Sequence, residues 1–332
     1  MAATSSFSSG THHRQDIDTQ AAPPSPTASP IFPTSPTFTQ KLEHKSHLRG
    51  ILSVFTWPAI ISLPLFLTYN DNYLEVFPEA YKATPFSGYP APLGLCLGLL
   101  AVAIGQVAVI VYHGLQRLHF FGPADSIQRE GARPEDFWPS VKRHLSQPEG
   151  FLLVGGWLVS TWMLNILPKS YYQFEGGVDW LSVAMCLLLQ DGLQYAMHMA
   201  EHRVNPYIYI KSHKPHHKFV NPIVFDAFDG SLTDTILMIL VPMSITTQVI
   251  KCNVWSYMTF GSLYAAWLTL IHSEYVHPWD VLFRSLGFGT AADHHVHHKT
   301  FIWNYGHLFM YWDRLFGTYK SPAGVKTFNK NV

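Results

Sequence analysis

The sequence predicts an all-α polytopic membrane protein: about four transmembrane helices, a possible further hairpin, and a histidine-rich cap on the cytosolic side. Three observations carry this. Charged residues make up 13% of the 332-residue chain, against roughly 25% in ordinary soluble domains, while apolar residues reach 48%. Apolar stretches of about 19 residues recur, each long enough at 1.5 Å per residue to cross a hydrocarbon layer of ~30 Å. Finally, twelve of the nineteen histidines fall between His198 and His307.

Other properties narrow the class. Lys+Arg and Asp+Glu both number 22. No basic surplus is available to neutralise phosphates, and nucleic-acid binding is set aside. Cys96, Cys186 and Cys252 lie far apart in sequence, which gives neither a disulfide framework nor a CxxC metal site. They are expected to pack as small apolar side chains.

In chain order, residues 1–40 are Ser, Thr, Pro and Ala with little periodic apolar signal, and they are expected to form a disordered tail. The tail has no basic stretch followed by an apolar one, so it does not read as a signal peptide, and Asp16 and Asp18 disfavour a transit peptide. Residues 41–149 are expected to form a membrane hairpin and a cytosolic loop, with spans at 51–69 and 91–115. Pro58 and Pro64 in the first are tolerated as kinks. Residues 150–322 are expected to be the catalytic domain, and 323–332 a C-terminal tail. Its spans fall at 150–167 and about 178–199, the latter carrying Asp191 and His198, which should face protein rather than lipid. Stretches 232–250 and 254–271 supply the possible further hairpin. Lys41, Lys45 and Arg49 precede the first span, and Arg117, Arg129, Arg133, Lys142 and Arg143 fill the 116–149 loop. The 70–90 and 168–177 loops carry one lysine each. This asymmetry places both termini and everything after residue 200 in the cytosol.

The histidines arrive in fixed spacings. "HMAEH" gives His198 and His202, an i,i+4 pair on one helix face. "HKPHH" gives His213, His216 and His217. "IHSEYVHP" gives His272 and His277, and "HHVHH" gives His294, His297 and His298 with His295 between them. Neutral imidazole is the commonest metal ligand and one ion takes four to six donors, so nine converging imidazoles suit two ions. The set is His198, His202, His213, His216, His217, His272, His294, His297 and His298. His295 and His307 are expected near the site in supporting or surface roles, and His277 is left open. His12, His13, His44, His47, His113, His119 and His144 show no such spacing. An all-nitrogen donor set suits Zn, Cu, Fe or Ni. Iron would bring O2 chemistry on a lipid rising from the bilayer, whereas zinc would bring hydrolysis.

The order H-x3-H, H-x2-HH, H-x2-HH on membrane spans resembles the fatty acid hydroxylase/sterol desaturase superfamily of membrane di-iron oxygenases, over roughly residues 150–322. "HKPHH" is similar to the sterol C5-desaturase type. "HSEYVHPWD" is similar to the methylsterol oxidase and cholesterol 25-hydroxylase branch, where His272 matches a ligand position. "NYGHLFMYWDRLFGTY" looks like the family's closing segment, and Asp191 matches an acidic position that supports ligands. "KFVNPIVFDAFDG" matches neither sterol branch closely. The resemblance implies two iron ions, O2 as co-substrate, and electrons from external cytochrome b5 and its NAD(P)H reductase. It also implies an endoplasmic reticulum membrane location with a cytosolic catalytic face. The substrate it implies is a membrane lipid, a sterol before a fatty-acyl or sphingoid chain, with desaturation and hydroxylation both open. No catalytic group beyond the metal ligands and no nucleotide-binding motif is expected.

Two readings from other classes compete. "HMAEH" is also the H-x-x-E-H peptidase signature with Glu201 as base, but it leaves seven clustered histidines unused. A zinc transporter should hold its ligands near the bilayer midplane, whereas these lie at helix ends and in loops.

Overall fold

A computed structural model describes residues 92–332. The expected 1–40 tail and the 51–69 span lie outside the described residues. Within them the fold is helical, and strand pairing is limited to three isolated bridges.

Helix α1 (Pro92–Arg117) is apolar along nearly its whole length and ends on Arg117, where a cation suits the helix C-terminus. It lies against α8 (Val254–Leu270), its main partner in the fold. Small residues set that contact: a methyl group on Gly105 would fall 2.4 Å from the Ser262 carbonyl oxygen. Ser262 Oγ donates to the Ala101 carbonyl at 2.9 Å, and Gln106 Nε2 donates to the Ala265 carbonyl and Thr269 Oγ1, both at 2.9 Å. Close backbones held by buried hydrogen bonds are how helices associate where lipid gives no hydrophobic drive.

The amphipathic α2 (Phe137–Ser146) follows, then a wide turn at Pro148–Leu152 in which Gly150 leaves helical geometry, then α3 (Leu153–Met163). The 150–167 span expected from the sequence is therefore a helix of 11 residues. The Pro148–Gly150 break shortens its start and Asn165, at φ 53°, ends its run. α4 (Trp180–Arg203) is a long helix capped by Asp179, whose carboxylate accepts from Leu181 N. Short α5 (Pro206–Lys211) leads into the His213–His217 turn. Residues 232–249 form one apolar rod made of α6 (Leu232–Thr235), a π-turn Ile236–Leu240 and α7 (Val241–Val249). Pro242, which has no N–H to donate, sits just beyond the wide turn.

Among the described residues, two helices are long and apolar enough to cross a membrane, Leu93–Arg117 and Leu232–Val249. α4 carries too many polar groups for that pattern and α8 is 17 residues long. Three short helices follow: α9 (Asp280–Ser285), α10 (Ala291–Thr300) and α11 (Tyr311–Leu315). Residues 323–332, expected as a tail, are docked instead. Phe328 is buried and bridges Gln128, Arg129 Nε donates to the Phe328 carbonyl at 2.9 Å, and Asn329 N donates to the Ile127 carbonyl.

Candidate metal centre

Local helix geometry explains why the histidine spacing works. In α10, Thr290 and Asp293 close a capping box that fixes where the helix starts. Positions i, i+3 and i+4 then share a face, which aligns His294, His297 and His298. His295 falls on the other side. Its Nε2–H donates to the Ser273 carbonyl at 3.0 Å, and its Nδ1 accepts from Gln128 Nε2 at 3.2 Å. α4 offers His198 and His202 one turn apart, and the turn after α5 offers His213, His216 and His217.

All nine singled-out histidines converge, in two groups. His198, His202, His213, His217 and His297 form one; His216, His272, His294 and His298 form the other. Within each, one nitrogen per ring lies within 4.8 Å of all the others. In the first, the Nε2 atoms of His198 and His213 are 2.9 Å apart, those of His202 and His217 3.1 Å, and those of His297 and His217 3.0 Å. In the second, His272 Nε2 is 3.2 Å from that of His216 and 3.0 Å from that of His294, which is 3.1 Å from that of His298.

In five of the rings a partner on the opposite nitrogen fixes the tautomer. His198 Nδ1–H donates to the Tyr305 carbonyl at 2.7 Å. His272, His297 and His298 donate likewise to the carbonyls of Leu268, Trp303 and Phe219, each at 2.8 Å. His213 Nδ1–H donates to Asp234 Oδ1 at 2.8 Å. A neutral imidazole with its proton on Nδ1 presents a bare lone pair at Nε2. His198 and His213 thus aim two lone pairs at each other, and His272 and His298 aim theirs at His294. Two facing lone pairs repel unless a cation sits between them, and a proton on His294 Nε2 could satisfy only one of His272 and His298. Donors at right angles around an ion, at metal–nitrogen distances of ~2.1 Å, lie ~3 Å apart, which is the spacing found. The residues present fit two metal ions.

Burial keeps several of the rings neutral, the form that ligates a metal. Burial first, and neighbouring imidazoles second, hold His272 and His294 well below the usual histidine range. Burial likewise brings His216 down to about 4. His213 moves the other way: burial disfavours its charge, but the Asp234 carboxylate beside Nδ1 outweighs it and raises the ring. Asp234 is the residue that spacing could not reveal. It follows His217 by a stretch without motif and enters through the first turn of α6, where Ser231 caps its backbone N–H. A carboxylate behind a ligating histidine fixes its orientation and raises its basicity. Replacing Asp234 by Ala should therefore lower metal affinity and activity by ~10–100-fold, and Asn, which keeps an acceptor for Nδ1–H, should lose less. Elemental analysis of both purified variants checks this; wild-type metal content in the Ala variant would refute it.

The remaining expectations sort cleanly. His307 sits between the groups, its ring 5.0 Å from that of His198 and 5.1 Å from that of His294, with Nδ1 unpartnered. His277 belongs to neither group: its Nδ1 meets Tyr112 Oη at 2.9 Å and its ring stacks on Trp279. Asp191 touches no histidine ring. Its carboxylate accepts from Leu308 N at 2.7 Å and Phe309 N at 3.0 Å, tying the closing segment to α4. That segment in turn supplies the Tyr305 carbonyl that orients the His198 ring. Asp313 accepts from Tyr305 N and Gly306 N, and Asn304, at φ 55°, donates to the carbonyls of Asp293 and Lys320. Glu201 is buried with neither carboxylate oxygen paired. A crevice in front of the histidines is lined by His213, His216, His272, His307, Asp234 and Gln194 among others.

Comparison with known proteins agrees with this geometry. The sequence profile of the fatty acid hydroxylase family matches residues 183–318. A relative from Phaeodactylum tricornutum, an alternative squalene epoxidase, is 50% identical over 306 residues, 90% of this chain and 88% of its own length. The chain belongs to the fatty acid hydroxylase family. Other relatives match a smaller share of the chain. A Delta(7)-sterol 5(6)-desaturase from Leptosphaeria maculans is 31% identical over 43% of this chain and 38% of its own length. Mouse cholesterol 25-hydroxylase is 32% identical over 42% and 47%. No solved structure matches the chain. Every one of the nine convergent histidines lies within the family-matched residues.

Proposed function

We propose that the chain is an O2-dependent lipid oxygenase that epoxidises squalene or a closely similar acyclic polyene at a centre of two histidine-held irons. The facing imidazole lone pairs carry the metal reading. His198, His202, His213, His217 and His297 would hold one ion, and His216, His272, His294 and His298 the other. Bound iron would supply activation of O2, which protein side chains lack. The balance is simple: one oxygen atom adds across the C=C bond, and the other leaves as water with two electrons and two protons. Cytochrome b5 and its NAD(P)H reductase are the proposed electron source. The chain's own contribution is to orient the rings through Nδ1, keep them neutral by burial, and wall the reaction off from water.

The substrate reading draws on the 50% identity over nine-tenths of the chain to a protein named an alternative squalene epoxidase. Sterol hydroxylation or desaturation is the second reading, favoured by "HKPHH" and by the sterol-enzyme relatives. A fatty-acyl or sphingoid substrate stands behind both. The proposed setting is the endoplasmic reticulum membrane, with the histidines on the cytosolic side as the loop charges suggest.

Yeast lacking its own squalene epoxidase provides the test. Expression should restore growth without added sterol. Iron-loaded protein with cytochrome b5, reductase and isotopically labelled O2 should convert squalene to an epoxide carrying the label. Failure to grow and no epoxide, together with new sterol dienes or hydroxysterols, would replace this reading by the second.

A further inference from the structure

A second crevice, adjoining the first through shared wall residues, lies among the helices. It is walled by α1 (Gly98, Ala101), α3 (Val154, Leu158), α7 (Met243) and α8 (Phe260, Gly261), with no charged residue. The polar atoms its side chains carry are the phenol oxygens of Tyr257 and Tyr264. The second is already engaged: Tyr264 Oη donates to Gln194 Oε1 at 2.7 Å and accepts from Gln190 Nε2 at 3.0 Å. The glycines keep room open. A methyl group on Gly98 would come no nearer than 3.8 Å to Tyr257, and one on Gly261 no nearer than 4.0 Å to Ala101. The apolar and the histidine-lined crevices share three wall residues, Phe228, Ile239 and Leu268. Phe228 is seated between Gly150 and the His144 ring, 5.6 Å away, and Leu268 lends its carbonyl to His272 Nδ1.

We propose that the apolar crevice is the binding site for one arm of an acyclic polyene hydrocarbon, and that Phe228, Ile239 and Leu268 form a collar that presents only the end of the chain to the histidines. This rests on the squalene reading above and adds where the chain lies and which double bond reacts. A lining without charges, its Tyr264 phenol committed and the Tyr257 phenol left, gives a sterol hydroxyl few partners, but suits a chain without any polar group. A narrow passage between storage and reaction spaces selects by position along the chain, since a rigid wall discriminates even single carbon steps by ~10–200-fold.

Two measurements test this on the full-length, iron-loaded protein with radiolabelled squalene as probe. The first is retention of the label by the protein in detergent. Gly261→Leu should fill the crevice and lower retention at least tenfold, while Gly261→Ala, for which there is room, should retain it as wild type does and shows that the fold survives. The second is product regiochemistry. Phe228→Ala should raise the ratio of internal to terminal epoxides about tenfold at unchanged iron content, and Ile239→Ala should shift it the same way. Wild-type retention in a folded Gly261→Leu protein, no retention by wild type, or unchanged regiochemistry in both collar variants would overturn the proposal. Squalene retained through this crevice but never oxidised would instead refute the squalene-epoxidase reading and leave the site standing.

Discussion

Alanine at His297 is expected to leave a protein holding about one iron rather than two and to abolish turnover, a loss beyond the ~10–100-fold typical of supporting residues around a metal. His297 Nε2 faces His217 Nε2 at 3.0 Å in the five-histidine group, and its Nδ1 is anchored on the Trp303 carbonyl. The paired variant is His294→Ala, one turn earlier on α10 and in the four-histidine group. Each should lose an ion, but from different groups, so the double variant should retain almost none. Elemental analysis and single-turnover assays read this out. Two irons and full activity in either single variant would end the two-group assignment. Both side chains are buried, so thermal unfolding of each variant should be followed alongside, to separate metal loss from loss of fold.

Gly105→Ala is the substitution expected to harm stability most for its size. The added methyl would fall 2.4 Å from a backbone oxygen of α8 and 3.2 Å from the Ala266 nitrogen, so the helices themselves must part. Overpacking a close contact costs ~1–3 kcal/mol, with the upper end expected when backbone rather than a side chain must yield. Separation also stretches the Ser262–Ala101 and Gln106–Ala265 hydrogen bonds. Gly98→Ala on the same helix is the control, since its methyl reaches only ordinary contact distance. Equal melting temperatures for the two variants in detergent would show that the α1–α8 contact is softer than its geometry implies.

How far the sequence reached is clearest on α10. The spacing of His294, His297 and His298 encodes a shared helical face, so their convergence was legible, as was that of His198 and His202. The displacement of His295 follows from the same periodicity. His307, expected near the site, lies between the two groups, but Asp234 was not legible as a site neighbour, because it enters from a segment without motif and only the fold brings it alongside. The same holds for the carbonyls of Phe219, Leu268, Trp303 and Tyr305, since any residue type can supply one. Helix lengths were read less well. Hydropathy alone suggested a span over 150–167, but the Gly150 break and the Asn165 left-handed turn are backbone events that an apolar average does not register. The docking of Phe328 on Gln128 was equally invisible, since a short terminal stretch carries no periodic signal.

The bond between Asp191 and the amides of Leu308 and Phe309 also sets an order of assembly. A cell makes the chain from its N-terminus, so α4 is finished more than a hundred residues before its carboxylate meets a partner. Until then a carboxylate in the middle of a long helix lacks these partners, which is unfavourable in an apolar setting. The carbonyls that aim His198 and His297 arrive in the same late stretch. Those two rings can be aimed only once this stretch has been made. A chain that stops at residue 302 carries all nine histidines but lacks the Trp303 and Tyr305 carbonyls that aim His297 and His198, an apt substrate for membrane quality control.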